Sequence, residues 1–299
     1  MDRIILWLKA VRAPFFSASL IPVLVGAAVA HRYGFFSMTA LIFSLLIVMS
    51  SQAGANLIND YYDAEGSDLI NQNPTPFSGG SRLIQNKLLE RRNFLVGTYV
   101  AYGISLGTAL LFAVLVYHNW QVVLLPVIGA FLGIAYSNKT INGMSRGCGE
   151  LMLGVAFGPL AVMGSFLMQA NYIAKEAILA GIPVGLLIMG VLILNEFPDV
   201  AADQAAGKRN WVVNWGLKKG VWIYLSVVSL AYITLFIGVI MEIFPMKILY
   251  SYFTLPVAVR ISLKVWNYKE QVNTFIPAMA GNIGLHFATG ILICIGLLG

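Results

Sequence analysis

The sequence predicts an all-α, polytopic membrane protein of about nine transmembrane helices, and three observations lead there. Of 299 residues, 59% are hydrophobic and only 11% are charged, whereas a soluble domain carries about 25% charged residues. Mean hydropathy is +0.79, more apolar character than a water-soluble fold of this length can hide. The apolar residues also fall in continuous runs, not in the short alternating segments of a membrane barrel.

The runs lie at 12–31, 38–60, 93–117, 121–137, 148–169, 173–197, 220–242, 245–264 and 276–298. Most approach the ~20 residues that cross a bilayer core; the fourth is short, and the second and sixth end in polar residues. The first follows a short, basic, amphipathic stretch, Met1 to Arg12, with no small-residue cleavage site after it. It is therefore expected to stay in the protein and not to be removed as a signal peptide. No long polar stretch interrupts the series, so 1–299 is expected to form a single membrane domain.

Charge orients the spans. Arg3, Lys9, Arg12, Arg82, Lys87, Arg91, Arg92, Lys139, Arg146, Lys208, Arg209, Lys218, Lys219, Arg260, Lys264 and Lys269 fall on one side, and Arg32, Lys175 and Lys247 on the other. Sixteen against three places the N-terminus and the loops after helices 2, 4, 6 and 8 in the cytoplasm, with the protein in the cell inner membrane. The net charge of +6 is then a topology signal. No basic stripe with interleaved aromatics supports nucleic-acid binding. Cys148 and Cys294 offer neither a disulfide framework nor metal spacing.

Carboxylates at a membrane edge are expensive and mark function. One group closes the second span, Asn56-Leu-Ile-Asn-Asp60-Tyr-Tyr-Asp63, followed by Glu65 and Asp68; another closes the sixth, Asn195-Glu-Phe-Pro-Asp199-Val-Ala-Ala-Asp203. Asn56, Asp60 and Asp63 stand at i, i+4 and i+7, and Asn195, Asp199 and Asp203 at i, i+4 and i+8, so each set shares a helix face. Hard oxygen donors of this kind suit Mg²⁺, which is shared between carboxylates and substrate phosphates. The expected metal ligands are Asp60, Asp63, Asp199, Asp203, Asn56 and Asn195, holding Mg²⁺ against a diphosphate. Lys208, Arg209 and Arg82 are expected to add positive charge. Asp68 and Glu65 read as bystanders, and Glu196 as pointing away from the Asp199 face. The Gly79-Gly80 pair reads as a turn, Trp211, Trp215 and Trp222 as an interfacial belt, and His286 as a core residue.

These two acidic segments resemble those of the UbiA superfamily of intramembrane prenyltransferases. Further stretches resemble its menaquinone branch, the 1,4-dihydroxy-2-naphthoate polyprenyltransferases: Arg12-Ala-Pro14 leading to Pro22-Val-Leu-Val-Gly26, Asn73-Pro-Thr-Pro-Phe-Ser-Gly-Gly-Ser-Arg82, Arg146-Gly-Cys-Gly-Glu150, and Gly207-Lys-Arg-Asn210. The likeness covers roughly the first 70% of the chain, and the last three spans match only in hydropathy. Position 67 is Ser where the first motif commonly has an acid, and Asp68 follows one step later.

The resemblance implies a bundle around a central cavity open sideways to lipid, Mg²⁺ dependence, an isoprenyl diphosphate donor and an aromatic acceptor. Its implied catalytic residues are Asp60, Asp63, Asp199, Asp203 and Tyr136, with Tyr61 or Tyr62 as further rings facing an allylic cation. Its implied substrate-binding residues are Asn56, Asn59, Asn195, Arg82, Lys139, Arg146, Glu150, Lys208, Arg209 and Arg12. Arg146 or Lys139 would orient an acidic acceptor and Glu150 would take a proton. Other acceptors (4-hydroxybenzoate, homogentisate, a haem vinyl group, a glycerol phosphate lipid) are alternatives, and a secondary transporter is the rival from another class.

Overall fold

The computed structural model describes residues 2–268 and 271–299, and Lys269 of the charge count lies outside them. The protein is an integral membrane protein, and among the described residues it is helical without strands. In chain order the helices are α1 (Arg3–Ala10), α2 (Ser17–Arg32), α3 (Met38–Asp63), α4 (Ser67–Ile70), α5 (Arg91–Phe112), α6 (Gln121–Ser137), α7 (Gly149–Val155), α8 (Ala161–Ala170), α9 (Lys175–Ala205), α10 (Trp211–Ile240), α11 (Leu255–Trp266) and α12 (Val272–Leu298). A 3₁₀ turn at Ala13–Phe16 leads into α2, a π-helical turn at Ala156–Leu160 joins α7 to α8, and a 3₁₀ segment at Met246–Thr254 leads into α11.

Among the described residues eight helical spans are long and apolar enough to cross a bilayer, and α6 is a shorter apolar helix. The expected boundaries shift in two places. The sixth span runs on to Ala205 and carries its acidic residues inside the helix. The seventh starts earlier, at Trp211, and is broken at Gly216, whose φ is +79°. Only glycine adopts that backbone without a steric penalty, so Lys218 and Lys219 belong to a helix and not to a loop.

Helix α9 is the most buried span, with 67% of its apolar window enclosed. It packs on α10, α7, α2 and α12. Its neighbours come close because both surfaces are glycine. Gly154 and Gly158 face Gly181 and Gly185, so that a Cβ on Gly185 would stand 2.3 Å from the Gly154 carbonyl oxygen and one on Gly158 2.6 Å from that of Gly181. Such paired small residues let helices approach where lipid provides no hydrophobic drive. Val100, Leu115, Phe131, Ile233 and Phe236 are exposed on the outer helix faces, as a lipid-facing surface requires. Buried polar pairs such as Ser51–Ser105 and Tyr224–Asn282, at 2.7 and 2.9 Å, tie helices together inside.

Replacing Gly185 by Leu overpacks this crossing, which costs about 1–3 kcal/mol. In detergent its unfolding midpoint should fall by roughly 5 °C. Gly103→Ala, at a position with nothing within 4 Å, should leave the midpoint unchanged; equal shifts in the two variants would contradict the packing described.

Candidate functional site

The C-terminal ends of α3 and α9 meet on the same side of the bundle, and one ammonium measures how closely. Lys208, just past α9, places Nζ 2.9 Å from Asp63 Oδ2 and 3.6 Å from Asp203 Oδ1. The two acidic segments, 140 positions apart in sequence, therefore share one chamber. Asp63, Asp68, Glu150, Glu196, Asp199 and Asp203 line it, together with Arg12, Lys208 and Asn195. Beneath it lies an apolar chamber between α3, α6, α7–α8 and α9. Arg12, Asn59, Phe77, Tyr136, Leu192 and Asn195 border both spaces and form a collar between them.

The connection between α3 and α5 closes the chamber from above. Asn71 Nδ2 and Ser78 Oγ donate to Asp199 Oδ1 at 2.8 and 3.1 Å, and the Ser81 amide donates to Asp60 Oδ2 at 3.1 Å. The segment is thus stitched to both helix ends. Gly79 and Gly80 have φ of +78° and +72°. A Cβ on Gly80 would fall 1.9 Å from Asp68 Oδ2, so glycine here lets the chain pass directly over a carboxylate. The pair is a wall of the site and more than a turn.

Several expected residues hold other residues in place and do not line the polar chamber. Asp60 is ion-paired with Arg12, and Asn56 Nδ2 donates to the Val11 carbonyl at 2.9 Å. Both fasten the strap that carries Arg12, a residue in left-handed backbone at φ +54°. Arg12 also donates to Asn59 Oδ1 at 3.1 Å, and Asn59 Nδ2 donates to Asp63 Oδ2 at 3.0 Å. Arg82 donates to the carbonyls of Asp68 and Asn71, bracing the loop and not facing the chamber. Lys139 is exposed and 3.6 Å from Glu65. Arg146 is exposed and bonds the Thr140 carbonyl, and Arg209 is exposed. Tyr61 lies under Arg91, 4.2 Å from its guanidinium carbon, and the Tyr62 hydroxyl accepts from Asn138. The expected roles for Arg82, Lys139, Arg146, Arg209, Tyr61 and Tyr62 at the substrate thus meet side chains already engaged elsewhere or turned to solvent.

Two readings reverse the other way. Asp68 is 4% exposed and Glu196 6% exposed; both line the chamber, and Glu196 reaches Glu150. Glu196 is buried within α9 and Asp68 within the short α4. Trp211 leaves the aromatic belt. Its amide donates to Glu150 Oε1 at 2.6 Å and its indole to the Gly147 carbonyl at 2.8 Å. Tyr136 keeps its place beside the site because residue 149 is glycine: a Cβ there would stand 2.9 Å from the ring.

Electrostatics follow from this crowding. Burial, then Asp63 and Asp60, push the Asp68 carboxyl up to about 7 against the opposing pull of Arg12 and Lys208. Burial works against the charge of Lys208, but Asp63 and Asp203 outweigh it and hold it above its ordinary value. Arg12 is likewise raised: burial opposes its charge, and Asp60, Asp68 and Asp63 overcome it. The donor set fits a hard divalent cation. Its oxygens are carboxylate and amide, and the buried Asn195 Oδ1 has no partner. Among the described residues no three acids, histidines or cysteines are grouped closely enough to hold a metal ion by themselves.

The profile of the UbiA prenyltransferase family matches residues 19–283. The chain is 29% identical over 294 residues to a 2-carboxy-1,4-naphthoquinone phytyltransferase of Synechocystis sp., covering 97% of this chain and 92% of the relative. It is 25% identical over 295 residues to a 1,4-dihydroxy-2-naphthoate octaprenyltransferase of Bacillus subtilis, covering 98% and 92%. In fold it is similar to a UbiA homolog from Archaeoglobus fulgidus bound to DMAPP and Mg²⁺, with TM-score 0.68, 18% identity and 96% and 98% of the two chains covered. It is also similar to the apo structure of a UbiA homolog from Aeropyrum pernix K1, with TM-score 0.72, 16% identity and 94% and 97% covered.

A carboxyl raised from 3.8 to about 7 binds its proton more tightly in the folded than in the unfolded chain. Without metal, its contribution to stability is present at low pH and declines as pH rises from about 4 to about 7. Mg²⁺ competes with that proton. Added Mg²⁺ should raise the unfolding midpoint of the purified protein clearly at pH 8 and little at pH 5; an equal gain at both would remove the cation site.

Proposed function

The chain belongs to the UbiA prenyltransferase family, and from that premise we propose that it transfers a polyprenyl group from an isoprenyl diphosphate to 1,4-dihydroxy-2-naphthoate, with Mg²⁺, in menaquinone biosynthesis. One observation carries the reading. An acid-lined chamber sits directly on an apolar one, joined through a collar that holds Arg12, Asn195 and Tyr136. A diphosphate head with an isoprenoid tail has that same division. Six carboxylates repel a bare diphosphate, so the head enters with divalent cations. The whole of 1–299 is proposed to act as this single unit, in the cell inner membrane with its acidic chamber on the cytoplasmic side. The sixteen-to-three basic asymmetry supports that orientation.

In this reading Asp63, Asp199 and Asp203 hold Mg²⁺, with Asn195 Oδ1 as the amide donor and Asp68 as a further carboxylate. Asp60 and Asn56 act from behind by fixing the Arg12 strap. Bound Mg²⁺ neutralises the charge that develops on the departing diphosphate. Arg12 and Lys208 supply fixed positive charge to the same oxygens, Arg12 by its planar fork and Lys208 as a point charge. The carbon–oxygen bond to the diphosphate breaks, leaving allylic positive charge at the collar. Tyr136 offers a ring face there, worth about 2 kcal/mol when desolvated. The naphthoate ring carbon then forms the new carbon–carbon bond and loses its carboxylate as carbon dioxide. The names of the relatives from Synechocystis and Bacillus support a naphthalene acceptor. Glu150, which lines the chamber, is proposed to take a hydroxyl proton from the acceptor as the ring carbon attacks and to return it as carbon dioxide leaves, so that no net proton is released.

Purified protein given geranylgeranyl diphosphate, 1,4-dihydroxy-2-naphthoate and Mg²⁺ should form the prenylated naphthalene. Asp199→Asn should cut turnover by about a hundredfold or more. Tyr136→Phe should stay near the parent and Tyr136→Leu should fall about ten- to thirtyfold in kcat. Full activity of Asp199→Asn would defeat the metal assignment, and equal kcat for Tyr136→Leu and the parent would defeat the ring's role.

A further inference from the structure

Away from the chamber, an open groove lies between α1 and the segment 84–93. Leu6 and Ile84 give it an apolar bed, and Arg3, Lys87 and Arg91 stand around it with the carboxylate of Glu90. Arg91 is already held, paired with Glu65 and laid over the Tyr61 ring. Arg3 and Lys87 are exposed, and among the described residues neither takes part in an ion pair. Lys87 also sits at φ +55°, left-handed backbone where glycine is the usual residue and a Cβ is disfavoured.

The groove lies at the depth of the membrane surface. Leu6 and Ala10 of α1 pack with Leu57 and Phe94, and Trp7 rests on Gly97, where a Cβ would stand 3.0 Å from its ring. Leu57 is six residues from the end of α3 and Gly97 six from the start of α5, so α1 lies about 9 Å inside those helix ends. Its other face, Ile4, Ile5 and Leu8, is 67, 45 and 50% exposed. A helix with an uncovered apolar face and flanking cations rests where headgroups meet acyl chains. Both walls of the groove are set in advance. Helix α1 leads into Arg12, which is ion-paired with Asp60, and the opposite wall follows Ser81, whose amide donates to the same carboxylate. A preformed groove loses little freedom when a ligand binds.

We propose that this groove binds the headgroup of an anionic glycerophospholipid, with its phosphate shared by Arg3 and Lys87 and its glycerol over the apolar bed. Charge complementarity selects the occupant. Each Lys or Arg near a membrane surface favours an anionic lipid, whereas a choline headgroup brings its own cation and gains less. A free phosphate ion would meet the same two cations and leave the apolar bed unused. The acyl chains of a lipid held here continue along the exposed Ile4 and Leu8, which no part of the protein covers.

Trp7 gives a local readout, because brominated acyl chains quench an indole they touch. The whole protein is placed in nanodiscs of phosphatidylcholine and phosphatidylglycerol with bromine on one lipid or the other, and Trp7 emission is taken as the difference from Trp7→Phe. Phosphatidylglycerol should be preferred beside Trp7 by about tenfold or more. Arg3→Gln with Lys87→Gln should abolish that preference, and Arg3→Lys with Lys87→Arg, which keeps both charges, should retain it. Lys218→Gln with Lys219→Gln, which removes the same charge from α10, should leave it unchanged. Millimolar inorganic phosphate should not displace the lipid. No preference in the parent, a preference that survives the Arg3 and Lys87 glutamine pair, or its loss in the charge-keeping pair or the α10 pair would overturn the site. Displacement by inorganic phosphate would overturn its assignment to a lipid.

Discussion

Asp63, Asp68, Glu150, Glu196, Asp199 and Asp203 face one small chamber with Arg12 and Lys208, and that excess of negative charge constrains everything around it. At an effective dielectric near 20, like charges about 4 Å apart repel by about 4 kcal/mol. The protein moderates this with internal cations and donors: Lys208 between Asp63 and Asp203, Arg12 on Asp60, Asn71 and Ser78 on Asp199, Asn210 on Asp203 at 2.8 Å. The remainder is left for protons or for a divalent ion, and a site that stores charge in this way is prepared for a ligand that brings cations with it.

The rest of the fold positions that excess beside an apolar volume. The glycine crossing between α7–α8 and α9 draws the two helices together on one side. Helix α6 leans on α3 and α5 and touches α7 and α8 only lightly, so the space between them stays open as the lower chamber. Tyr136 and Asn195 stand where the two environments meet. A reaction that separates charge at the head of a greasy chain belongs at such a boundary, because the chain needs the apolar walls and the head needs the polar ones.

Much of this was legible in the sequence. Continuous apolar runs named nine spans, and the i, i+4 spacing of Asp199 and Asp203 put both on one face of a helix that does extend to Ala205. What escaped was anything decided by chain path. Asp68 and Glu196 looked peripheral because helical spacing says nothing about how a loop folds back or which side of a buried helix faces a neighbour. Asn71, Ser78 and Gly80 act through a connection whose course no periodicity encodes. Arg82, Lys139, Arg146 and Arg209 were plausible by sign and proximity in sequence, yet Arg82 braces loop carbonyls and the other three are exposed, whereas Arg12 and Lys208 line the chamber. Gly79-Gly80 was the available clue, since two successive left-handed residues mark a backbone passing close to another group.

The most direct test of the central claim is titration of inorganic pyrophosphate into the purified protein, by calorimetry, with Mg²⁺ and again in chelator. The account predicts saturable binding with Mg²⁺ and none without it, because the carboxylates repel the bare anion. Pyrophosphate binding of equal strength in chelator would contradict it.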